Sequence, residues 1–210
     1  MNGLSFSAAE RRDLLVAWLA LGVAFALFFL GGGPALTNAL SAGEVGALTS
    51  AFVVSLLTAG VAFLLHELAH KVVAVRFGQQ AAFRADYGML FLAVVSALAG
   101  FLFAAPGAVH HRGHITPRQH GLIALAGPAT NVVLGALFLP LWVVGTRIGL
   151  GPLGLVGSYG VAVNFFLAAF NLIPFGPLDG ATVRKWSTPI WLVSFLVSAV
   201  LAVILGLSVL

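Results

Sequence analysis

Long apolar runs separated by short polar segments fill most of the chain. The first run, residues 14–30, stops at GGGP (residues 31–34), because glycines and proline do not continue a helix without cost. Five more apolar segments follow, at about residues 47–75, 87–109, 121–144, 155–178 and 190–210. Since about 20 apolar residues in a helix cross a bilayer, the pattern predicts an all-α polytopic membrane protein with about six transmembrane helices.

Composition agrees with a membrane protein and excludes an ordinary soluble domain. Hydrophobic residues make up 60% of the chain and charged residues 8%, whereas about a quarter of a typical soluble domain is charged. The net charge of +4 comes from dispersed bases, so we expect a lipid bilayer as partner and no nucleic acid. The chain has no cysteine, which excludes disulfides and thiolate metal ligands.

At 210 residues the chain has room for one membrane-embedded domain and little more. We expect a first span and loop at residues 1–46, a core at about 47–185 and a last span at 186–210. No small-residue cleavage site accompanies the first apolar run, so this run is predicted to be an uncleaved anchor.

The positions of the basic residues predict how the chain threads the membrane, because Lys and Arg collect on the cytoplasmic side in short loops. If the segment 87–109 enters the membrane and returns, nine of the ten bases lie on the cytoplasmic side and only Arg147 lies outside. If the segment crosses, the bases divide almost evenly. We therefore expect a re-entrant segment, broken at residues 104–108, in a multi-pass protein of the cell membrane.

The sequence HELAH at residues 66–70 lies inside an apolar run, where histidines and a carboxylate are costly. On a helix, His66 and His70 share one face about 6 Å apart along the axis, so both imidazoles can bind one zinc ion. Glu67 between them can activate a water for attack. The alternative is a pair of buried histidines held by neighbouring hydrogen bonds. The predicted zinc site lies toward the cytoplasmic end of its span.

A second polar element, NLIPFGPLDG at residues 171–180, interrupts the run that begins near residue 155. A bare aspartate at mid-membrane costs about 2.5–3.5 kcal/mol, so Asp179 beside two prolines and two glycines needs a cause, and metal coordination is one. The predicted threading brings this element to the same side of the membrane as HELAH. Asp179 is therefore the candidate third ligand, and a plain surface turn is the alternative.

Three ordered motifs resemble those of the site-2 protease family of intramembrane zinc metalloproteases. They are HExxH at residues 66–70, GPATN at 127–131 for the family's GPxxN/S, and NxxPxxxxDG at 171–180. The resemblance covers about residues 47–185. It implies a three-helix catalytic core in which His66, His70 and Asp179 bind zinc and Glu67 is the catalytic base.

The resemblance also implies that Asn171 helps to stabilise the oxyanion, a role that Asn131 could share. Each asparagine has another reading, since amides hold membrane helices together, and this is the expectation for Asn164. In one departure from the family, the basic residue that often follows its Asp-Gly-Gly comes later here, at Arg184. We expect no PDZ or CBS domain.

Two further polar segments lie outside these motifs. Residues 79–90 are not a convincing helix and could form a short β element that binds an extended substrate by strand addition, which the resemblance favours, or an interfacial loop. His110, His111, His114 and His120 cluster beside bases, which indicates a wet basic loop rather than a second metal site.

The sequence thus predicts a zinc endopeptidase that cuts transmembrane protein substrates in the bilayer, with its site toward the cytoplasm. One alternative is another multi-span zincin, from which we would expect a Glu ligand on a later helix. A different class is a metal transporter or an inactive metal-binding membrane protein. A carrier would be expected to show repeated half-sites, and none is visible in the sequence.

Overall fold

The computed structural model describes residues 3–209, which form α-helices and one small sheet. The elements are α1 (Ala8–Leu30), α2 (Gly33–Ser41), α3 (Val45–Ser55), α4 (Val61–Arg76), β1 (Gln80–Ala85), α5 (Tyr87–Leu98), β2 (Gly107–Arg112), α6 (Pro117–Arg147), α7 (Gly151–Asn171), α8 (Asp179–Trp186) and α9 (Thr188–Leu201). A π-helical turn at Leu56–Gly60 joins α3 to α4, and a second at Ala202–Gly206 continues α9.

Five helical segments within residues 3–209 are long and apolar enough to span a membrane. They are Ala8–Leu30, Val45–Arg76, Pro117–Arg147, Gly151–Asn171 and Thr188–Gly206. The predicted all-α polytopic class is therefore confirmed, with five candidate spans where the sequence predicts about six. The difference is α5, whose 12 residues reach about 18 Å and cannot cross a core about 30 Å thick.

The segment that contains α5 begins and ends beside one sheet, which is compatible with a re-entrant path, and the re-entrant path itself stays a prediction. β1 precedes α5, β2 follows it, and the two strands pair in one sheet. The Asp86 N–H donates to the Pro106 carbonyl at 3.1 Å, next to the end of β1 and the start of β2. The β element expected near residues 79–90 is thus present as β1, while β2 was not predicted.

The return begins earlier than the predicted break at residues 104–108. α5 ends at Leu98, and Gly100 follows with φ of 88°, a left-handed conformation that favours glycine. The buried Ser96 hydroxyl then accepts from the Phe103 N–H at 3.0 Å. The turn therefore depends on a glycine and a serine, with Pro106 lying beyond it.

Packing divides the chain into two compact units. One unit contains residues 6–64 and 83–108, where α1 packs against α3 and α5 around Ala24, Leu27, Ala93 and Ala97. The other contains residues up to Ser5, Leu65–Ala82 and the chain from Val109 onward. The single domain expected from the sequence stays a prediction.

The polar start of α1 binds β1 in the first of these units. Glu10 is 1% exposed and accepts a hydrogen bond from the Phe83 N–H at 3.0 Å. One turn later, Asp13 accepts from the Tyr87 hydroxyl at 2.8 Å and pairs with Arg84. These two carboxylates explain why acidic residues are buried in an apolar chain, since each satisfies donors of the sheet segment.

The second unit is built on α6, which packs along α7 and α8, while α9 covers α7 and α8. Close approach of α6 and α7 depends on glycine, since a Cβ on Gly157 would lie 2.1 Å from the Trp142 nitrogen. Ala124, Leu172 and Val183 form a buried cluster between α6 and α8. This packing brings the end of α7 and the start of α8 to the wall formed by α6.

Candidate metal centre

His66 and His70 lie one turn apart on α4, and their side chains converge. Both residues are less than a tenth exposed, at 5% and 8%. Their Nε2 atoms are 3.0 Å apart. The helix spacing read from the sequence therefore places two imidazole nitrogens at one point.

Asp179 meets the two imidazoles as the first residue of α8. Its Oδ2 lies 3.3 Å from the His66 Nε2 and 3.4 Å from the His70 Nε2. The segment between α7 and α8, which holds Pro174 and Pro177, is not helical, so the chain can turn here. The structure thus brings together the three residues that the sequence proposes as ligands, although Asp179 lies more than 100 positions after both histidines.

The spacing of these three atoms fits a tetrahedral zinc site. Zinc binds imidazole nitrogen and carboxylate oxygen at about 2.0–2.2 Å, so two corners of a regular tetrahedron lie about 3.3–3.6 Å apart. The two separations that involve Asp179, 3.3 and 3.4 Å, lie in this range, and the two Nε2 atoms, at 3.0 Å, are about 0.3 Å closer than its lower end. With these three residues as ligands, zinc would keep a fourth position for water, as catalytic zinc sites do.

Hydrogen bonds at the far side of each ring fix which nitrogen faces the site. The His70 Nδ1 lies 2.7 Å from the Ile123 carbonyl oxygen, and a carbonyl can only accept, so this Nδ1 donates. The His66 Nδ1 lies 2.6 Å from the Asn131 Oδ1 and donates to it. In the neutral form, each ring would turn an Nε2 lone pair toward the Asp179 carboxylate, and three acceptors this close fit a bound cation.

Gly127 on α6 makes space for these atoms. A Cβ at this position would lie 2.4 Å from the His70 Nε2 and 2.5 Å from the His66 Nε2. Any larger residue would thus occupy the point at which the ligands converge. This role was not predicted, although the GPATN element in the sequence was the available signal.

Gly180 allows the third ligand to approach. A Cβ on Gly180 would lie 2.0 Å from the Leu172 carbonyl oxygen. That carbonyl also accepts from the Trp191 Nε1 at 2.8 Å, which fixes its place. Asp179, a candidate ligand, is therefore followed by the one residue type that fits at position 180.

Glu67 lies on the same turn as the histidines and is 7% exposed. A carboxylate oxygen of Glu67 and the ligand atoms of His66 and His70 all lie within 4.8 Å of one another. Its Oε2 accepts a hydrogen bond from the Val109 N–H of β2 at 3.1 Å. Glu67 is thus beside the convergence point and is oriented by the backbone of a strand.

Both candidate oxyanion donors, Asn131 and Asn171, make hydrogen bonds within the protein. Asn131 contacts His66 through Oδ1 and donates from Nδ2 to the Asn164 Oδ1 at 3.0 Å. The Asn171 Nδ2 donates to the Leu167 carbonyl at 3.0 Å, within its own helix. The oxyanion role of Asn171 stays a prediction, and Asn131 supports a ligand in this structure.

Charge at the site favours an ionised Asp179. Burial alone raises the pKa of its carboxyl, but when the rings carry a proton, the charge on His70 and hydrogen bonds from both imidazoles lower it to about 2.

The histidines expected to form a basic loop are only partly in a loop. His110 and His111 lie in β2, His120 lies on α6, and His114 lies between these elements. The rings of His111 and His120 make an edge contact at 5.6 Å. Burial there lowers the pKa of His111, and charge on His120 adds to the effect.

Known proteins similar to this chain are zinc metalloproteases by name. "Putative zinc metalloprotease MJ0611" of Methanocaldococcus jannaschii is 42% identical over 142 residues, which cover 67% of this chain and 73% of that protein. "Putative zinc metalloprotease YwhC" of Bacillus subtilis is 33% identical over 145 residues, or 61% of this chain and 66% of the relative.

A longer relative is matched over a smaller share of its length. "Putative zinc metalloprotease sll0528" of a Synechocystis species is 36% identical over 139 residues, which cover 64% of this chain and 32% of that protein. No family model and no solved structure matches the chain. The identity and coverage of the archaeal match, on a chain whose ligands converge as zinc requires, show that this protein belongs to the zinc metalloprotease family.

Proposed function

We propose that this protein is an intramembrane zinc endopeptidase of the site-2 protease type, which cleaves peptide bonds in or near the transmembrane segments of other proteins. One observation carries the proposal. Two imidazole nitrogens and a distant carboxylate oxygen converge beside Glu67 on a helix that is apolar enough to span a bilayer.

The position of the site along its span supports cleavage within the membrane. α4 ends at Arg76, with His70 six residues earlier and His66 ten residues earlier. At 1.5 Å per residue, the ligands lie about 9–15 Å from the end of the helix. If Arg76 marks the cytoplasmic surface, the site lies below the lipid headgroups and near the cytoplasm, in a multi-pass protein of the cell membrane.

The site geometry supports the following roles. His66, His70 and Asp179 would hold zinc, which would supply a Lewis acid able to polarise a carbonyl and to lower the pKa of water to about 7. Glu67 takes the proton of the attacking water and later gives it to the leaving amine. Burial of Glu67 keeps bulk water away, and the Val109 N–H orients its carboxylate.

Asn171 is the proposed donor to the oxyanion. Its Nδ2 now donates to the Leu167 carbonyl, so it must leave that acceptor to reach a substrate oxygen. Loss of a well-placed oxyanion donor costs about 3–4 kcal/mol in the transition state. Asn171→Ala is therefore expected to lower kcat with little change in zinc content.

The edge of β2 is the proposed binding place for an extended substrate. A peptide bond in a helix is shielded by its own turn, so the substrate must unwind before attack. The Val109 N–H points to Glu67, which places this edge of β2 at the catalytic base. An unwound segment that pairs with Val109 and His111 would add a strand there and take this N–H from Glu67.

The experiment that tests the function uses Glu67→Gln in the purified full chain. Glutamine keeps the shape of the side chain but cannot accept the proton, so cleavage of a model transmembrane substrate should fall at least 1,000-fold, about 4 kcal/mol, with zinc retained. Glu44→Gln, at an exposed glutamate before α3, is the matched control and should cleave normally.

Full cleavage by Glu67→Gln would overturn the proposal. Zinc uptake into vesicles that depends on His66 and Asp179, without any cleavage by the parent chain, would instead favour the transporter alternative.

A further inference from the structure

A chain of hydrogen bonds connects His66 to the backbone of α7 through two asparagines that are both 0% exposed. We propose that Asn164 is a positioning residue of the metal centre, which acts through Asn131 to hold the His66 Nε2 lone pair toward the metal. The inference rests on the metal centre of the proposed function and is independent of whether the bound metal cleaves peptides.

The direction of the chain is set at its far end. The Asn164 Nδ2 lies 2.8 Å from the Gly160 carbonyl oxygen. A carbonyl only accepts, so the nitrogen of the Asn164 amide must face it, and the amide oxygen must face the other way. A backbone atom of α7 thus decides the orientation of this side chain.

Asn131 then has one favourable orientation. Its Nδ2 donates to the Asn164 Oδ1 at 3.0 Å. A reversed Asn131 amide would bring two oxygens together at that contact, in a buried place where an unmatched polar group costs about 1–3 kcal/mol. The Asn131 oxygen is therefore the atom that faces His66.

The last contact fixes the ligand. The His66 Nδ1 lies 2.6 Å from the Asn131 Oδ1 and must donate to it, which in the neutral ring leaves Nε2 without a proton and available to a metal. The Ile123 carbonyl alone accepts from the His70 Nδ1 and orients that ring in the same way. Asn164 and Asn131 together orient the His66 ring as this backbone carbonyl orients the His70 ring.

Simple attachment of one helix to another does not account for this pattern. A pair of amides that only holds α6 to α7 could adopt either of two opposite orientations. Here the Gly160 carbonyl selects one orientation of the Asn164 amide. The matching orientation of Asn131 places an acceptor at His66, a proposed metal ligand. Support of this kind usually changes metal affinity by about 10–100-fold when it is removed.

The test is a zinc affinity measurement on the purified full chain in detergent, by competition with a chelator. Asn131→Leu should weaken zinc binding about 10–100-fold, and Asn164→Leu should weaken it by a smaller factor. The double variant should bind zinc no more weakly than Asn131→Leu alone, because Asn164 acts only through Asn131.

Two further variants separate positioning from stability. Ser158→Ala removes a different buried polar group of α7, a hydroxyl that donates to the Leu155 carbonyl in its own helix. This variant should leave zinc affinity unchanged. Asn131→Asp keeps an acceptor for the His66 Nδ1 but replaces the donor to Asn164 by an oxygen. This variant should lose some stability and still retain zinc, even if Asn131→Leu fails to fold.

A spectroscopic readout reports the proposed effect directly. In the metal-free protein, ¹⁵N NMR of His66 should show the proton on Nδ1, and in Asn164→Leu the signal should shift toward a mixture of tautomers. The inference is wrong if Asn164→Leu behaves like Ser158→Ala, with parent zinc affinity and an unchanged tautomer. It also fails if the effects of the two leucine variants on zinc affinity multiply. Neither readout uses cleavage, so failure of the proposed function would leave this result standing.

Discussion

At the scale of single residues, the ligands were readable from the sequence because their signals are local. An HExxH spacing places two imidazoles on one helix face, and Asp179 is conspicuous in a Pro/Gly break. The hydrogen bond between His66 and Asn131 joins residues 65 positions apart, and no local rule predicts such a pair. The amide of Asn171 also turned to its own helix, since a nearby carbonyl was available.

Gly127 gives the residue-scale prediction. Gly127→Ala should abolish stoichiometric zinc binding, because the new Cβ would lie about as close to both Nε2 atoms as a metal ion does. Zinc content of the purified variant, measured by atomic emission, is the check.

Gly135→Ala is the matched control on the same helix. Its Cβ would meet the ring of Phe165 at 2.6 Å, so the variant should lose stability but keep its zinc. Equal zinc content in the two variants would contradict the role given to Gly127.

At the scale of elements, the length of each apolar segment predicts the spans. The distribution of basic residues predicts the re-entrant path. β2 was not predicted because its residues were assigned to the end of an apolar segment, and its strand conformation depends on pairing with β1. The π-helical turn at Leu56–Gly60 also had no sequence signal. It accompanies a contact in which the Trp18 Nε1 donates to the Leu56 carbonyl at 3.1 Å, 38 residues away.

The contact between α1 and β1 gives the element-scale prediction. Glu10→Ala leaves the buried Phe83 N–H without the carboxylate that accepts from it, which should cost about 1–3 kcal/mol. Hydrogen exchange of residues 80–85 should therefore become faster. Glu44→Ala, at an exposed position, should not change this exchange, and parent-like protection in Glu10→Ala would show that α1 does not stabilise the strand.

At the scale of the whole molecule, the class of protein was predictable because a chain with 60% hydrophobic residues has few other solutions. The number of spans was harder to predict, since an apolar segment of this length can cross or return. α5 has only 12 residues and is followed by Gly100 with positive φ, which favours a returning segment.

The absence of cysteine from the sequence makes the proposed topology directly testable. A single cysteine at the exposed position of His114, introduced as His114→Cys, should react with a membrane-impermeant maleimide only from the cytoplasmic side. Arg147→Cys, exposed at the end of α6, should react only from outside. Labelling of His114→Cys from outside and of Arg147→Cys from the cytoplasmic side, which a crossing segment 87–109 requires, would refute the re-entrant threading.

The central claim is that His66, His70 and Asp179 bind one zinc ion together, and zinc X-ray absorption of the purified chain tests it most directly. The account predicts one zinc per chain with two imidazoles and a carboxylate oxygen at about 2.0–2.2 Å, and loss of this signal in Asp179→Ala. An unchanged zinc content and spectrum in Asp179→Ala would contradict it.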